Sequence, residues 1–357
     1  MKACLTSAIV LFFAVSLAAA NPQREAAVPS LQKFTFAEPH LGTIVQIQVY
    51  APEEGEAKEG AAAAFARIAE LNRILSDYDP ESELMRLVRS AKVGQPMPAS
   101  SDFCAVLDAS LQLARRTKGA FDPTLSPVIQ LWRRARRTRE LPQPALLEAA
   151  LQRVGYQFVT VDTKAGTVTI QKEGLRLDFG GIAKGHIAEE ALKVLREKGL
   201  SRSLVAISGD IAAGDTPPGE PGWRVGIAPL DKPDGQPSRF LKLVNMAVST
   251  SGDAYQSVEI AGIRYSHIID PKTGVGLIER RSVTVVAPHG MQADGLDTAA
   301  LILGPQAGLK LIADTPDCAG LYLEAGPDGL IAHETERLKA FFWPETEEIP
   351  SANGSSR

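Results

Sequence analysis

The sequence is poor in features that would place it in several common classes of protein. Its 357 residues include only three cysteines and five histidines, and no cysteines have the close pairing of a zinc or iron–sulfur site. Positive charge is not in excess, because 38 basic residues face 42 acidic ones and the formal net charge is −4. Nothing therefore indicates binding to nucleic acid. Beyond the N-terminus, no apolar run is long enough to span a bilayer.

The first 20 residues differ from the rest of the chain. Lys2 is followed by an apolar stretch from Ala8 to Ala20 that ends in three alanines, and Asn21 comes directly after it. This pattern is typical of a secretory signal peptide, and the alternative is an anchor that is not cleaved. No cysteine follows the apolar run to carry a lipid. We therefore expect residues 1–20 to be removed and the mature protein to be soluble, in the periplasm or outside the cell.

Two cysteines, Cys104 and Cys318, remain in the mature chain. In an oxidising compartment they could form a disulfide, but a long separation in sequence gives no information about their distance in space. Two buried, unpaired thiols are the favoured interpretation.

Helical and strand patterns are interspersed along the mature chain. Apolar residues at helical spacing predict helices over residues 56–75, 102–116, 145–154, 184–198, 292–303 and 306–313. Alternating patterns predict strands over residues 44–50, 158–161, 167–171, 203–207, 223–227, 240–244, 257–260, 265–269 and 282–287. Because strands and helices do not alternate strictly, we expect an α+β fold rather than a doubly wound sheet. Residues 21–33 are interpreted as a flexible lead-in, 34–340 as one folded domain and 341–357 as a polar tail.

A glycine-rich segment, LDFGGIAKGHI at residues 177–187, joins a predicted strand to a helix. Gly180 and Gly181 let the backbone approach a ligand closely, and the helix start at Lys184 presents free N–H groups and a positive charge to an anion. The segment therefore suits a phosphate group. Its glycine spacing matches neither a Walker loop nor a Rossmann fingerprint, and a plain turn between strand and helix is the alternative.

Three oxygen-bearing side chains recur on a predicted helix in ADGLDTAAL at residues 293–301. Asp294, Asp297 and Thr298 have the spacing that puts them on one helical face, which we expect to be exposed. Two carboxylates and a hydroxyl are hard ligands suited to Mg²⁺ or Ca²⁺ rather than zinc. The alternative is that the aspartates stabilise the helix N-terminus, although close carboxylates repel unless a cation or proton lies between them.

The segment YSHIIDPKTG at residues 265–274 combines a histidine with turn residues. His267, at the end of a predicted strand, is a candidate general base, and a packed strand residue is the alternative. Asp270 opens a stretch typical of a turn. Upstream, the hydroxyl-rich residues 249–252 are interpreted as a turn that either hydrogen-bonds phosphate or closes a loop.

Two aromatic residues follow predicted helices. Tyr78 comes after the first long helix, and Phe121 follows the next one within GAFDPT at residues 119–124. Exposed rings near turns can enclose a flat ligand, and the alternative is hydrophobic contact at a helix end. The basic run at residues 133–139 is interpreted as a solvated helix face or loop.

These segments occur in one chain and in a particular order. The blocks are LGT at 41–43, LSDYDPESEL at 75–84, GAFDPT at 119–124, LDFGGIAKG at 177–185, SGD at 208–210, VSTSGDAY at 248–255, SHIIDPKTG at 266–274 and ADGLDTAALILG at 293–304. Together they closely resemble the FAD:protein FMN transferases, the ApbE family, across residues 34–330. The resemblance implies a two-lobed α+β fold with mixed and antiparallel sheets, with FAD bound between the lobes and Mg²⁺ at its diphosphate.

The resemblance also implies roles, position by position. His267 would be the catalytic base. The Mg²⁺ ligands would be the Gly181 carbonyl together with Asp294, Asp297 and Thr298. The flavin-contacting positions would be Leu41, Tyr78, Ala120, Phe121, Asp122, Asp178, Lys184 and Ile268. Three positions depart from the usual family residue, since Leu41 replaces methionine, Asp297 replaces alanine and Ser208 replaces glycine.

The implied function is transfer of FMN from FAD to a threonine or serine hydroxyl of an acceptor protein, with release of AMP. The acceptor would be, for example, a subunit of a membrane redox complex, and no nucleic acid partner is expected. One alternative is an FAD pyrophosphatase, in which water replaces the acceptor and FMN and AMP are released. Another is a periplasmic flavin-binding protein without turnover, which would need neither His267 nor the carboxylates.

Overall fold

The computed structural model describes residues 30–230, 235–237, 239–252, 256–327 and 329–344. The predicted signal peptide at residues 1–20 lies outside these ranges, as do most of the predicted lead-in and tail. Within the described ranges, no helix is at once long and apolar enough to cross a membrane. Cys104 and Cys318 are both buried and unpaired, which is the interpretation that the sequence favours.

Helices and strands are interspersed, and the predicted α+β class is confirmed. The helices are α1 (Glu54–Leu75), α2 (Glu83–Ser90), α3 (Ser101–Arg116), α4 (Ser126–Thr138), α5 (Pro144–Leu151), α6 (Ala183–Glu197), α7 (Gly290–Leu303) and α8 (Pro305–Ala313). The strands are β1 (Gln32–His40), β2 (Thr43–Ala51), β3 (Pro96–Pro98), β4 (Val159–Asp162), β5 (Thr167–Ile170), β6 (Ser203–Ile207), β7 (Asp210–Ala213), β8 (Trp223–Ile227), β9 (Arg239–Leu243), β10 (Met246–Gly252), β11 (Ser257–Ile260), β12 (Ile263–Ser266), β13 (Ile269–Asp270), β14 (Val275–Gly276), β15 (Arg281–Ala287), β16 (Ala319–Gly326) and β17 (Gly329–Glu334).

One eight-stranded sheet forms the centre of the fold. Its strand order is β1-β2-β6-β7-β10-β15-β16-β17, and each neighbouring pair is antiparallel. Leu41 and Gly42 join β1 to β2 with φ angles of 55° and 71°, the left-handed conformation that a two-residue hairpin turn requires. The turn between β6 and β7 lies beside this one, because the hydroxyls of Thr43 and Ser208 are 2.9 Å apart.

Both faces of this sheet are covered. Helices α1, α6 and α7 pack on one face, where Val285 of β15 joins the largest hydrophobic core. Val286 points to the other face and packs in a separate core with Trp223 of β8 and Leu241 of β9. Because both faces of the strand are covered, every residue of β15 from Ser282 to Ala287 is buried, including two with hydroxyl side chains.

Helices α6 and α7 begin at a close crossing. A Cβ atom on Gly185 would lie 2.1 Å from the carbonyl oxygen of Gly290, and one on Gly290 would lie 1.9 Å from the carbonyl oxygen of Gly185. Glycine is therefore required at both positions, because either side chain would overlap the opposite backbone. The crossing brings the first turn of α6 against Asp294 of α7.

A smaller lobe is built from α4, α5 and the strand pairs β11–β12 and β13–β14. In its own core, Trp132 of α4 packs against Tyr265 of β12 with ring centroids 5.1 Å apart. Trp132 Nε1 also donates a hydrogen bond to the carbonyl oxygen of Gly274 at 2.7 Å. The lobe carries His267 on the connection between β12 and β13.

Some elements differ from those that the sequence predicts. Strand β1 begins at Gln32, inside the predicted lead-in, and α2, β7, β16 and β17 have no predicted counterpart. Residues 249–252 form the end of β10 and not a turn, because their hydroxyls bond to β15 and α7 instead of solvent. Most of the basic run belongs to helix α4, whose apolar side faces the core of the smaller lobe.

Candidate active site

Three carboxylates lie together in the fold, and we call Asp210, Asp294 and Asp297 the carboxylate cluster. Asp210 begins β7, whereas the other two lie on α7. Their exposed fractions are 1%, 2% and 0%. The expectation of an exposed helix face is therefore wrong. Helix α7 packs against both the sheet and α6, so the face that carries its two aspartates points into the protein.

Lys184 supplies positive charge to the carboxylate cluster. Its ammonium group contacts the carboxylate of Asp210, and Asp294 Oδ2 accepts a hydrogen bond from the N–H of Gly185 at 3.0 Å. The start of α6, which the sequence indicates as suited to phosphate, thus already binds a carboxylate of the protein itself. One ammonium group faces three acidic groups, so the cluster has excess negative charge when all three are ionised.

Two serines of β10 link these carboxylates to each other and to Thr298. Ser249 Oγ lies 2.6 Å from Asp210 Oδ1 and 2.6 Å from Asp297 Oδ2. Ser251 Oγ lies 2.8 Å from Asp297 Oδ1 and 3.2 Å from Thr298 Oγ1. A hydroxyl has one proton to donate, so Ser249 satisfies both of its contacts only when one of the two carboxyl groups is protonated.

Burial and mutual repulsion change the pKa values of this cluster. The pKa of Asp294 is raised to about 7, first by burial and then by the charge of Asp210. Burial and the same kind of repulsion hold the pKa of Asp297 well above its ordinary value. Burial alone would lower the pKa of Lys184, but the surrounding carboxylates outweigh it and raise that pKa. An added cation would favour the ionised carboxylates.

The predicted metal ligands come from two segments of the chain. A Cβ atom on Gly181 would lie 3.1 Å from Thr298 Oγ1, so this backbone passes close to the hydroxyl. Asp297 is linked to the same hydroxyl through Ser251. Such oxygens are the hard donors that Mg²⁺ binds, and the donor chemistry fits this ion. In the described ranges, no three Asp, Glu, His or Cys side chains are grouped to hold a metal, so hydroxyl, carbonyl and substrate oxygens would have to complete the shell.

A second group, which we call the Arg133 cluster, comprises Asp77, Tyr78, Arg133 and Asp178. Arg133 Nη1 donates to Asp77 Oδ2 at 2.5 Å, and Nη2 lies 3.3 Å from Asp178 Oδ2. Burial, followed by the charge of Asp77, raises the pKa of Asp178 to about 7. Only 14% of the Arg133 side chain is exposed, so its interpretation as part of a solvated basic run is wrong. The helix turns this one arginine of the run inward, towards the two carboxylates.

The two rings predicted to contact a flavin lie in opposite environments. Tyr78 is 75% exposed, and the Arg133 guanidinium carbon lies 4.0 Å from the centroid of its ring. Phe121 is 5% exposed and belongs to the main hydrophobic core. Its Cε2 atom lies 3.4 Å from the position of a Cβ on Gly181. Tyr78 can therefore receive a flat ligand on its ring, whereas Phe121 borders the Gly181 backbone from the core.

The neighbours of Phe121 are engaged in protein contacts. Ala120 is buried. Asp122 Oδ1 accepts hydrogen bonds from the N–H and the hydroxyl of Thr124 at 2.8 and 2.6 Å, and Oδ2 accepts one from the N–H of Tyr156 at 3.2 Å. Burial raises the pKa of Asp122 in spite of these bonds. The loop is thus held in place by its own hydrogen bonds.

His267 has the protonation state of a general base. Its Nδ1 lies 3.0 Å from the carbonyl oxygen of Gln256. A carbonyl oxygen can only accept, so Nδ1 carries the proton and Nε2 of the neutral ring has the free lone pair. Burial lowers the pKa of the ring to about 4, and the charges of Arg136 and Lys184 add to this against the effect of the Gln256 carbonyl. The ring is neutral at neutral pH, and it remains partly accessible to solvent.

The two remaining predicted positions are apolar. Ile268 is buried, and its N–H donates a hydrogen bond to Ser266 Oγ at 3.1 Å. Leu41 is half-buried in the β1–β2 turn and packs against the main core. Both can supply shape and backbone groups to a ligand, but no charge.

Several residues of these clusters are absent from the predicted site. Asp77, Asp210 and Ser251 stand inside the sequence blocks at 75–84, 208–210 and 248–255, so a local signal for them exists. Nothing in the sequence shows that Asp210 and Ser249 meet the α7 aspartates, because that contact depends on the strand order. Arg133 has no local signal, since it stands in a run of arginines most of which are exposed.

Comparison with known proteins covers most of the chain. The sequence model of the ApbE family matches residues 41–322. The chain is 31% identical over 350 residues to the FAD:protein FMN transferase of Haemophilus influenzae, covering 95% of this chain and 98% of that protein. It is 30% identical over 283 residues to an FAD:protein FMN transferase of Klebsiella pneumoniae, covering 77% of this chain and 79% of that protein. Among solved structures, the flavin transferase ApbE from Vibrio cholerae matches with a TM-score of 0.78 at 26% identity, covering 87% of this chain and 99% of that one.

Proposed function

The chain belongs to the ApbE family, and on that premise we propose that it acts as an FAD:protein FMN transferase. In this reaction a threonine or serine hydroxyl of an acceptor protein receives FMN from FAD, and AMP is released. The observation that carries the proposal is the hydrogen bond of His267 Nδ1 to the carbonyl oxygen of Gln256, which leaves Nε2 of the neutral ring able to accept a proton. A flavin-binding protein without turnover has no use for such a base.

The proposed step moves one proton and exchanges one bond. The acceptor hydroxyl oxygen attacks the phosphorus of the FMN half of FAD, while its proton passes to His267 Nε2. The bond from that phosphorus to the bridging oxygen of the diphosphate breaks, and AMP leaves with that oxygen. Lys184 is among the charges that lower the pKa of His267, so its ammonium group lies within electrostatic range of the proposed base.

The proposed metal site consists of Gly181, Asp294, Asp297 and Thr298. When bound there, Mg²⁺ would neutralise charge on the FAD diphosphate. The support for this site is the excess negative charge of the carboxylate cluster and the raised pKa values of Asp294 and Asp297. A cation relieves both.

The proposed flavin-contacting residues fall into two groups by exposure. Tyr78 offers an exposed ring, and the other members supply buried or half-buried contacts and charge: Leu41, Ala120, Phe121, Asp122, Asp178, Lys184 and Ile268. We place the protein in the periplasm or outside the cell, because of the signal-peptide pattern at residues 1–20 without a following cysteine. The acceptor would then be a protein that presents its hydroxyl in that compartment.

The test is to incubate the purified mature protein with FAD, Mg²⁺ and a threonine-containing candidate acceptor peptide, and to weigh the products. The expected result is a peptide heavier by one FMN group, together with AMP. Free FMN and AMP with an unchanged peptide would identify a pyrophosphatase, and intact bound FAD would identify a binding protein. His267→Gln should abolish modification, whereas His333→Ala, on the edge strand β17, should preserve it.

A further inference from the structure

The Arg133 cluster joins three separate segments of the chain. Asp77 and Tyr78 follow α1, Arg133 lies on α4, and Asp178 precedes the glycine turn that leads into α6. One guanidinium group contacts all three of the other members. Resting on the proposed function, we infer that Arg133 is a positioning residue for flavin binding, which supports the Tyr78 ring from one side and orients Asp178.

The burial of this ion group shows that Arg133 is not a surface charge. The exposed fractions of the side chains are 14% for Arg133, 10% for Asp77 and 8% for Asp178. Two carboxylates removed from water need a cation between them, because an unpaired buried charge is strongly unfavourable. Arg134 and Arg137 of the same helix are exposed, so they serve as matched controls that keep the helix and change only surface charge.

One face of the Tyr78 ring is covered by Arg133, and much of the ring is exposed. The hydroxyl of Ser76 accepts hydrogen bonds from the N–H groups of Tyr78 and Asp79 at 3.2 and 3.3 Å, which fixes the backbone at the ring. The guanidinium group covers one face of the ring at 4.0 Å. Because 75% of Tyr78 is nevertheless exposed, the opposite face is left for a flat ligand. The isoalloxazine ring of FAD has the size and planarity to stack there.

The geometry requires arginine and not merely a positive charge. A guanidinium group donates from two nitrogens to two different carboxylates while it lies over an aromatic ring, whereas an ammonium group is a point charge that cannot do all three. Arg133→Lys therefore keeps the charge of the cluster and removes its geometry. This variant separates a positioning role from simple electrostatic attraction of FAD.

The test compares FAD affinity, by titration of flavin fluorescence with Mg²⁺ present, in the wild type, Arg133→Lys, Arg133→Met and Arg137→Ala. Both Arg133 variants should weaken FAD binding roughly tenfold, and Arg137→Ala should bind FAD as the wild type does. In a double-mutant cycle, Arg133→Lys should cost less affinity when Tyr78 is already alanine. A purely structural role would instead lower Tm and the folded fraction, with unchanged affinity in the molecules that fold.

Two results would overturn the inference. One is wild-type affinity for FAD in Arg133→Lys, and the other is equal costs of that substitution with and without Tyr78. If both Arg133 variants fail to fold, Tyr78→Ala becomes the deciding variant, because its exposed ring contributes little to folding. Unchanged FAD affinity in Tyr78→Ala would refute the claim that the flavin stacks on the ring that Arg133 supports. Failure of the wild type to bind FAD would count against the proposed function, which is a separate outcome.

Discussion

The carboxylate cluster and the Arg133 cluster each place acidic side chains around one cation, but they differ in charge balance and in access to solvent. Three carboxylates face Lys184 in the first, and all three are at most 2% exposed. Two carboxylates face Arg133 in the second, and an exposed tyrosine ring lies on top. The first group therefore has too little positive charge to balance its carboxylates, whereas the second presents an exposed aromatic ring.

This difference assigns different tasks to the two regions. Excess buried negative charge is costly without a cation, so the proposed metal would be held at the carboxylate cluster. The Arg133 cluster is closer to neutrality and anchors a ring, so it is suited to hold the flat part of a substrate. The two regions should respond differently to substitution, to pH and to Mg²⁺.

The largest expected effect is in the carboxylate cluster. Asp294→Asn removes one charge but keeps an oxygen that can accept the Gly185 N–H bond. We expect the transfer rate to fall about 100-fold, while Tm stays the same or rises because a crowded carboxylate is gone. Rate assays and thermal unfolding measure both, with Asp314→Asn, at the exposed residue that follows α8, as the control. An active Asp294→Asn variant would remove the support for a metal at this cluster.

The second effect is on stability as a function of pH. The pKa values of Asp178 and Asp294 are about 7 in the folded protein, above the ordinary value of about 3.9. The folded state then binds more protons than the unfolded state, so stability falls as pH rises from about 4 to about 7, by at most about 1.4 kcal/mol per pH unit for each group. His267, with its pKa lowered to about 4, acts in the opposite direction between that pH and about 6.5.

Mg²⁺ should distinguish the two clusters in this experiment. Above about pH 7 it should stabilise the wild type and Asp178→Asn, because it compensates the ionised carboxylate cluster in both. It should stabilise Asp294→Asn much less. Urea unfolding from about pH 5 to about pH 8, with and without Mg²⁺, measures this. Equal stabilisation of all three proteins would show that the metal binds elsewhere.

A smaller effect is expected at Asp297, where the sequence resemblance implies alanine in typical members of the family. Asp297→Ala relieves repulsion within the cluster but removes the acceptor of the Ser249 and Ser251 hydroxyls. We expect weaker Mg²⁺ binding and a loss of activity of about tenfold or less. Calorimetric titration of Mg²⁺ in the presence of FAD measures the first quantity. A loss as large as that of Asp294→Asn would make the two aspartates equivalent.

The smallest effect is expected at the exposed ring. Tyr78→Ala should weaken FAD binding by about 0.5–1.5 kcal/mol, the value of one aromatic stacking contact, without a change in Tm. Phe121→Leu should mainly lower Tm, with a smaller loss of FAD affinity, because that ring is packed in the core. Paired FAD titrations and melting curves test this opposition. Loss of FAD affinity in both variants at unchanged Tm would instead indicate that both rings stack equally on the flavin.

How much of this the sequence predicts depends on the range of the contacts. The spacing of Asp294, Asp297 and Thr298 correctly places them near one another, because helical periodicity is local. Their burial is not predictable in the same way, since it depends on α7 packing against α6 and the sheet. Alternation along a strand is local as well, and the bounds of the strands at residues 203–207, 223–227 and 257–260 are predicted correctly.

The errors have the same physical origin. The hydroxyl-rich end of β10 resembles a turn, because serine and threonine favour turns unless they find partners elsewhere. Here the partners are Asp210 and Asp297, which other parts of the chain supply. Arg133 likewise differs from its exposed neighbours only through contacts with Asp77 and Asp178, which are distant in sequence. The proton on His267 Nδ1 follows from a carbonyl that only the folded chain places there.

The crossing of α6 and α7 gives the protein an unusual pattern of mutational vulnerability. Gly185 and Gly290 carry no functional group, yet each leaves less than 2.5 Å for a side-chain atom against the opposite backbone. Even alanine at either position would push the helices apart and separate Lys184 from Asp294. A substitution at either of these two residues, which have no side chain to take part in the reaction, is therefore expected to inactivate the protein as the loss of a catalytic acid or base would.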